Sequence, residues 1–347
     1  MKQKKMNWKE MSIGLCLVAL LAWFTFYVLL SGNSAQTLGS TFVRADIRFV
    51  SMGFACMFLF VNCEAANIRL LMRTFGKKVP YWRSLSYAFT DFYFSAITPS
   101  ATGGQPMQLY YMVRDGFGAA HSSFSLLATA AVYQMTVLVY GCVMVGANLP
   151  FVMGQSRVIR LLLVFGILVN GFCSGLILLI ILNGLLAEKT MLWIAGALSR
   201  AGIIKNRKRA VQRVEGLIDE YSRGGSYLRQ YPLAAVRMFI HSAVQLTALY
   251  LVPYWACRAL GLSVQIKDVL ALQAILSLAV TAVPLPGSVG ASEGSFLALY
   301  RTLLGTGQSF SVMLLSRGIS FYAMLCISGL VTAFLQFARR GKSASPV

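Results

Sequence analysis

Glu293 and Arg317 stand in stretches that are otherwise apolar. At that depth an ionisable side chain is costly and usually functional. Arg317 can meet a phosphate oxygen pair with its planar fork of donors. Glu293 either neutralises Arg317 as a buried structural pair, or lines a polar cavity where it holds Arg317 or titrates. Asp91 is the corresponding acid of the first half of the chain. It pairs with Arg114 or caps the cytoplasmic edge as an ordinary polar residue, and the sequence leaves both open.

Glu293 directly follows a break in the apolar run, Pro284-Leu285-Pro286-Gly287-Ser288-Val289-Gly290-Ala291-Ser292. Proline removes a helix donor and clashes with the preceding turn, so two prolines and two glycines cannot sit in a straight spanning helix. A matching break lies at Thr98-Pro99-Ser100-Ala101-Thr102-Gly103-Gly104-Gln105-Pro106. Aligning Pro99 with Pro286 sets Gly103 on Gly290 and Gly104 on Ala291. Broken hydrophobic segments in matching places of two halves point to a transporter's binding site. At each break a new helix begins, whose first amides lack intrahelical partners and carry partial positive charge. That end suits a phosphate or carboxylate, and Gly103, Gly104, Gly287 and Gly290 would let a ligand approach the backbone. Ser292 is the expected N-cap of the second returning helix. Close packing through small residues accounts for the same glycines without a ligand.

The elements that position these residues follow from composition. The chain of 347 residues is 57% hydrophobic and 12% charged, with mean hydropathy +0.67. No soluble domain hides that much apolar surface, so this is a polytopic membrane protein. The formal charge of +20 therefore concerns orientation and anionic lipid, not nucleic acid. The seven cysteines are scattered singly, and with only His121 and His241 no metal ligand set exists. Neither a cofactor nor a catalytic nucleophile–base pair is expected. His241 reads as a packing residue of its span, and Gln105, Gln108, Gln134, Gln245 and Gln273 as interhelical hydrogen bonders or polar lining.

Spans are expected at residues 11–30, 47–72, 122–149, 158–186, 232–257 and 311–337. The two broken segments are expected as helix pairs, 84–97 with 106–113 and 269–283 with 292–304. Each half is under about 15 residues, roughly 20 Å at 1.5 Å per residue, and too short to cross alone. If both return to the side they entered, 23 of the 31 Lys/Arg lie inside and seven outside. If both cross, the split becomes 16 against 14. The positive-inside rule selects the first arrangement, with both termini cytoplasmic. The expected fold is thus an all-α integral membrane protein of six spanning helices plus two opposed re-entrant helical hairpins. It forms one membrane domain as an inverted-topology repeat, residues 1–150 against 151–187 and 232–338. Residues 188–231 form a basic cytoplasmic loop with nine Lys/Arg against four acids. Short amphipathic helices at 191–198 and 210–221 would lie on the membrane surface, as a solvated connector or as a dock for anionic lipid or a partner.

The two breaks, with Tyr110 and Tyr111 after the first and Arg317 and Tyr322 after the second, resemble the transmembrane domain of lysylphosphatidylglycerol synthase. This is the flippase half of the multiple peptide resistance factor, together with its stand-alone relatives. The resemblance covers nearly the whole chain. Gln105 and Gln108 depart from it, standing where family members often carry Glu and Arg. It implies a bacterial-type cell membrane and movement of a phosphate-bearing lipid, anionic or aminoacylated, between leaflets, with resistance to cationic peptides. The residues it points to are Asp91, Pro99, Gly103, Gly104, Gln105, Pro286, Gly287, Gly290, Glu293 and Arg317. The family's phosphatidylglycerol lysyltransferase activity resides in a soluble domain. The chain's end at Val347 leads us to expect no such domain and no lysyl transfer, with a separate synthase as a conceivable partner. The rival readings are an intramembrane lipid-modifying enzyme using Glu293 and Asp91 as acid and base, and a small-solute transporter.

Overall fold

A computed structural model describes residues 45–98, 101–182, 189, 232–280 and 290–340. The expected first span, the basic loop with its surface helices and the C-terminal tail lie outside them. Every regular element among the described residues is helical. We number them α1 (Ile47–Thr74), α2 (Tyr81–Ile97), α3 (Gly104–Arg114), α4 (Ala119–Ala147), α5 (Leu149–Met153), α6 (Arg157–Leu182), α7 (Pro232–Ala259), α8 (Ile266–Val280), α9 (Ala291–Leu304), α10 (Thr306–Arg317) and α11 (Met324–Arg340). A π-helical segment, Gly318–Ala323, joins the last two.

Among the described residues four helices are long and apolar enough to cross a membrane: α1, α4, α7 and the composite Thr306–Gln336. α1 and α7 have 28 residues each, about 42 Å, which exceeds a hydrocarbon core of about 30 Å. α6 carries the run expected at 158–186 through Leu182. By contrast α2, α3, α8 and α9 have 17, 11, 15 and 14 residues, below the roughly 20 needed to span. The expected last span at 311–337 begins earlier, at Thr306, and is interrupted by the π segment rather than continuous.

α1 and α7 form the central seam and run antiparallel. The Asp46 amide donates to the Ala259 carbonyl at 2.9 Å, pinning the start of one to the end of the other. The Asp46 side chain also caps α1 by accepting from the Arg48 amide. Two to three turns from the far end of the seam, buried Asn67 donates to Ser242 at 3.3 Å, and its oxygen lies 2.9 Å from His241 Nδ1. In lipid, polar pairs and close packing hold helices together because the tails are as apolar as the side chains.

Around this seam the contacts come in matching sets. α2 packs on α11 as α8 packs on α4, and α3 packs on α4 as α9 packs on α10. Glycines set the closest approaches. A Cβ at Gly166 of α6 would collide with the Leu278 carbonyl of α8, and one at Gly141 of α4 with the Leu278 side chain. At Gly329 of α11 a Cβ would come within 3.0 Å of the Tyr93 ring of α2. Gln134 of α4 is hydrogen-bonded to Asn170 of α6. The shared core joins Met57 and Val61, Leu246 and Tyr250, Ile275 and Leu278, and Phe296 and Tyr300. The last two rings stack at 3.9 Å, and the Tyr300 hydroxyl accepts from Gln273 at 2.9 Å.

Candidate functional site

The tip between α2 and α3 is closed by one side chain. Thr98 Oγ1 donates to the Phe94 carbonyl at 2.6 Å and accepts from the Gly103 amide at 2.8 Å. The turn between them holds Ala101 at φ +54°. That left-handed conformation costs a non-glycine residue about 1–3 kcal/mol and tends to persist at functional sites. The glycines here serve the protein's own packing. The space of a Gly103 Cβ is filled by Thr98, and that of a Gly104 Cβ by Ser95 and the Asp91 carboxylate. A side chain at either glycine would meet the protein itself, as the close-packing reading of these residues expects. An internal carboxylate already lies against the first residue of α3.

The second helix start repeats the arrangement. Gly290, at φ +88°, is the N-cap of α9, so Ser292 is not. The capping carboxylate comes from Glu293, whose Oε2 accepts from the Gly290 amide at 2.6 Å. Its Oε1 accepts from Arg317 Nε at 2.8 Å, with Glu293 3% exposed. The Arg317 guanidinium lies 4.6 Å from the centre of the Phe321 ring in the π segment. The contact fits both sequence readings, the buried pair and the carboxylate that holds Arg317 at a polar cavity. One of the first amides of α9 is thus met by the protein's own carboxylate.

Behind the first tip lies a cavity of about 600 Å³. Its acids are Glu64 of α1 and Asp91 of α2, and its amides are Gln105, Gln108, Gln134 and Gln245. Thr129 and Tyr133 of α4 add hydroxyls, while Phe60, Phe92, Leu249 and Phe321 make apolar wall. No lysine or arginine is among the described residues that line it. Gln108, 2% exposed, donates to Glu64 Oε1 at 2.6 Å and to the Tyr87 carbonyl at 3.2 Å. The volume is large enough for an organic molecule. Its charge favours a cationic group, because two carboxylates removed from bulk water need compensation.

A smaller cavity of about 260 Å³ adjoins α9 and the π segment. Arg317, Ser292, Ser320 and Gln273 give it a polar lining that includes a cation. Leu249 of α7 belongs to the walls of both cavities.

The family described as lysylphosphatidylglycerol synthase TM region matches residues 11–328. The chain belongs to that family. It is similar to a UPF0104 membrane protein of Archaeoglobus fulgidus, 26% identical over 290 residues, covering 79% of this chain and 82% of the relative. Family and spanning helices together make it a membrane protein.

Against that family background the expected site residues divide into three groups. Asp91 and Gln105 line the large cavity, Arg317 lines the small one, and Gly103, Gly104, Gly290 and Glu293 build the two helix starts. Pro99, Pro286 and Gly287 lie outside the described residues. Sequence reasoning missed Glu64, the second acid of the large cavity. The signal was present, since an acid inside the apolar run at 47–72 meets the same criterion that singled out Glu293. Thr129, Tyr133 and Phe321 gave no comparable signal, because hydroxyl and aromatic residues are ordinary in spanning helices.

Proposed function

We propose that the protein binds a phospholipid whose headgroup carries both an amine and a phosphate, of the aminoacylated phosphatidylglycerol kind, and passes it between leaflets. The observation that carries this reading is the large cavity with two carboxylates and no lysine or arginine among its described lining residues. The ammonium group takes the place between Glu64 and Asp91, with Tyr133, Phe92 and Phe321 offering ring faces to a cation. The phosphate meets Arg317 in the adjoining cavity, where Glu293 holds the guanidinium in position. The acyl chains stay in the bilayer. In this reading α2 with α3, and α8 with α9, are opposed re-entrant pairs of an inverted repeat, and both termini are cytoplasmic. The short lengths of these helices and the matching packing of the two sets support it. A location in the cell membrane and a role in resistance to cationic peptides follow from the same proposal.

The test is leaflet exchange in proteoliposomes with headgroup-labelled lysyl-phosphatidylglycerol, phosphatidylglycerol and, as a small-solute arm, free lysine. Protein-dependent exchange of the lysyl lipid, with little of phosphatidylglycerol and lost in Glu64→Gln, is the expected result. Uptake of free lysine without lipid exchange would instead support a small-solute transporter, and exchange of phosphatidylglycerol alone would remove the role assigned to the acids.

A further inference from the structure

We infer that the Glu64–Asp91 cavity holds a small inorganic cation, a proton or Na⁺, whenever no lipid amine occupies it, so that lipid and cation exchange through the same carboxylates. The inference rests on the amine-lipid reading and adds what drives the cycle.

Glu293 and Glu64 are treated differently. Glu293 has Arg317 at 2.8 Å and is compensated whether or not a ligand is present. Glu64 has Gln108, a neutral amide. A carboxylate at membrane depth that loses its counter-charge costs several kcal/mol. The groups facing it come from every wall. α1 gives Glu64, α2 gives Asp91, α3 gives Gln105 and Gln108, α4 gives Tyr133 and Thr129, α7 gives Gln245 and Leu249, and the π segment gives Phe321. None of these can supply a positive charge. A lipid ammonium supplies one while bound. After its release the charge must come from solution.

Thr129 is an independent pointer to a ligand. It is 8% exposed and lines the cavity, yet its hydroxyl has no hydrogen-bond partner. Thr90, Thr136 and Thr247 turn inward to the preceding turn, donating to Ser86, Val132 and Ala243; Thr332 of α11 is unpartnered like Thr129 but does not line this cavity. A buried hydroxyl left unsatisfied costs about 1–3 kcal/mol. Carboxylate, amide and hydroxyl oxygens are what a desolvated Na⁺ takes in place of water at a transporter's midplane. The same hydroxyl can accept a hydrogen bond from a protonated carboxyl.

Competition for one site makes the coupling reciprocal: each cation weakens the other's binding by the same factor. For one-to-one exchange, a tenfold gradient of the coupling cation sustains up to about a tenfold leaflet asymmetry of the lipid.

The experiment has two parts. In detergent, the purified protein is titrated with short-chain lysyl-phosphatidylglycerol while proton release and displacement of radioactive sodium are followed. In proteoliposomes, exchange of the labelled lipid is measured under a pH gradient at equal Na⁺, and under a Na⁺ gradient at equal pH. Release of one cation on lipid binding, and leaflet asymmetry that reverses with that cation's gradient, is expected. The responding gradient identifies the cation. In Thr129→Val, which keeps both acids, the amount of cation released per lipid bound and the response of exchange to the gradient are expected to fall together. Lipid binding and exchange with no release of either cation and no gradient effect overturns the inference and leaves the lipid reading standing. Absence of lipid binding, with the cation still held, overturns the lipid reading and the exchange with it.

Discussion

Gln108 donates a 2.6 Å hydrogen bond to Glu64, so the acid of α1 is met by an amide where the acid of α9 is met by a guanidinium. The two halves of the molecule thus solve the same local problem with different charge. The large cavity stays acidic, and the Glu293–Arg317 pair is close to neutral within itself.

Gln108→Arg should convert the first arrangement into the second. The new guanidinium would lie beside Glu64 and neutralise it. Affinity for lysyl-phosphatidylglycerol should fall by tenfold or more, about 1.4 kcal/mol or above, with the thermal unfolding temperature little changed. Titration of the detergent-purified variant measures the first, and a melting curve the second. Undiminished affinity would remove the acids from the binding site.

Removing Arg317 should have the opposite profile. Arg317→Met leaves Glu293 buried without its counter-charge, which typically costs about 3–5 kcal/mol. Adding Glu293→Gln restores neutrality while a carboxamide oxygen remains to accept the Gly290 amide, so the double variant should recover much of the loss. A double-mutant cycle of unfolding free energies reads this directly. Additive losses would mean the pair does not couple.

Gly166→Ala should destabilise by about 1–3 kcal/mol, because the new methyl meets the Leu278 carbonyl, a backbone atom that cannot swing aside. Gly146→Ala in α4 has open space around it. It should be neutral or gain up to about 1 kcal/mol from helix propensity. Thermal unfolding of the two side by side separates packing from propensity.

Gly104→Ala should act at the tip of the first helix pair. Its methyl would displace Asp91 and Ser95, moving an acid of the cavity as well as the start of α3. Lipid exchange should drop several-fold, and truncating the crowded neighbour with Ser95→Ala should return part of it. Full activity in Gly104→Ala would show that Asp91 can move without consequence.

The helical class and most helix limits were legible because long apolar runs have one solution in lipid: every backbone donor must be satisfied within its own segment. The Pro/Gly breaks marked the ends of α2 and the start of α9 for the same reason. The role of the glycines was not legible. Gly103 and Gly104 read equally as room for a ligand and as close packing, and that the space of a side chain there is taken by Thr98, Ser95 and Asp91 depends on the approach of α2 to α3. Glu293 was legible as a costly residue, and its dual contact with Gly290 and Arg317 was not, because it depends on α10 ending beside the start of α9. Glu64 was passed over in a run whose other residues read as a plain span. The π segment left no mark, since six ordinary residues, Gly318–Ala323, carry it.

Leu249 forms part of the wall of the acidic cavity and of the one that contains Arg317. A residue common to both walls ties their shapes together: any change in the rotamer of Leu249 alters the space on the acidic side and on the Arg317 side at once.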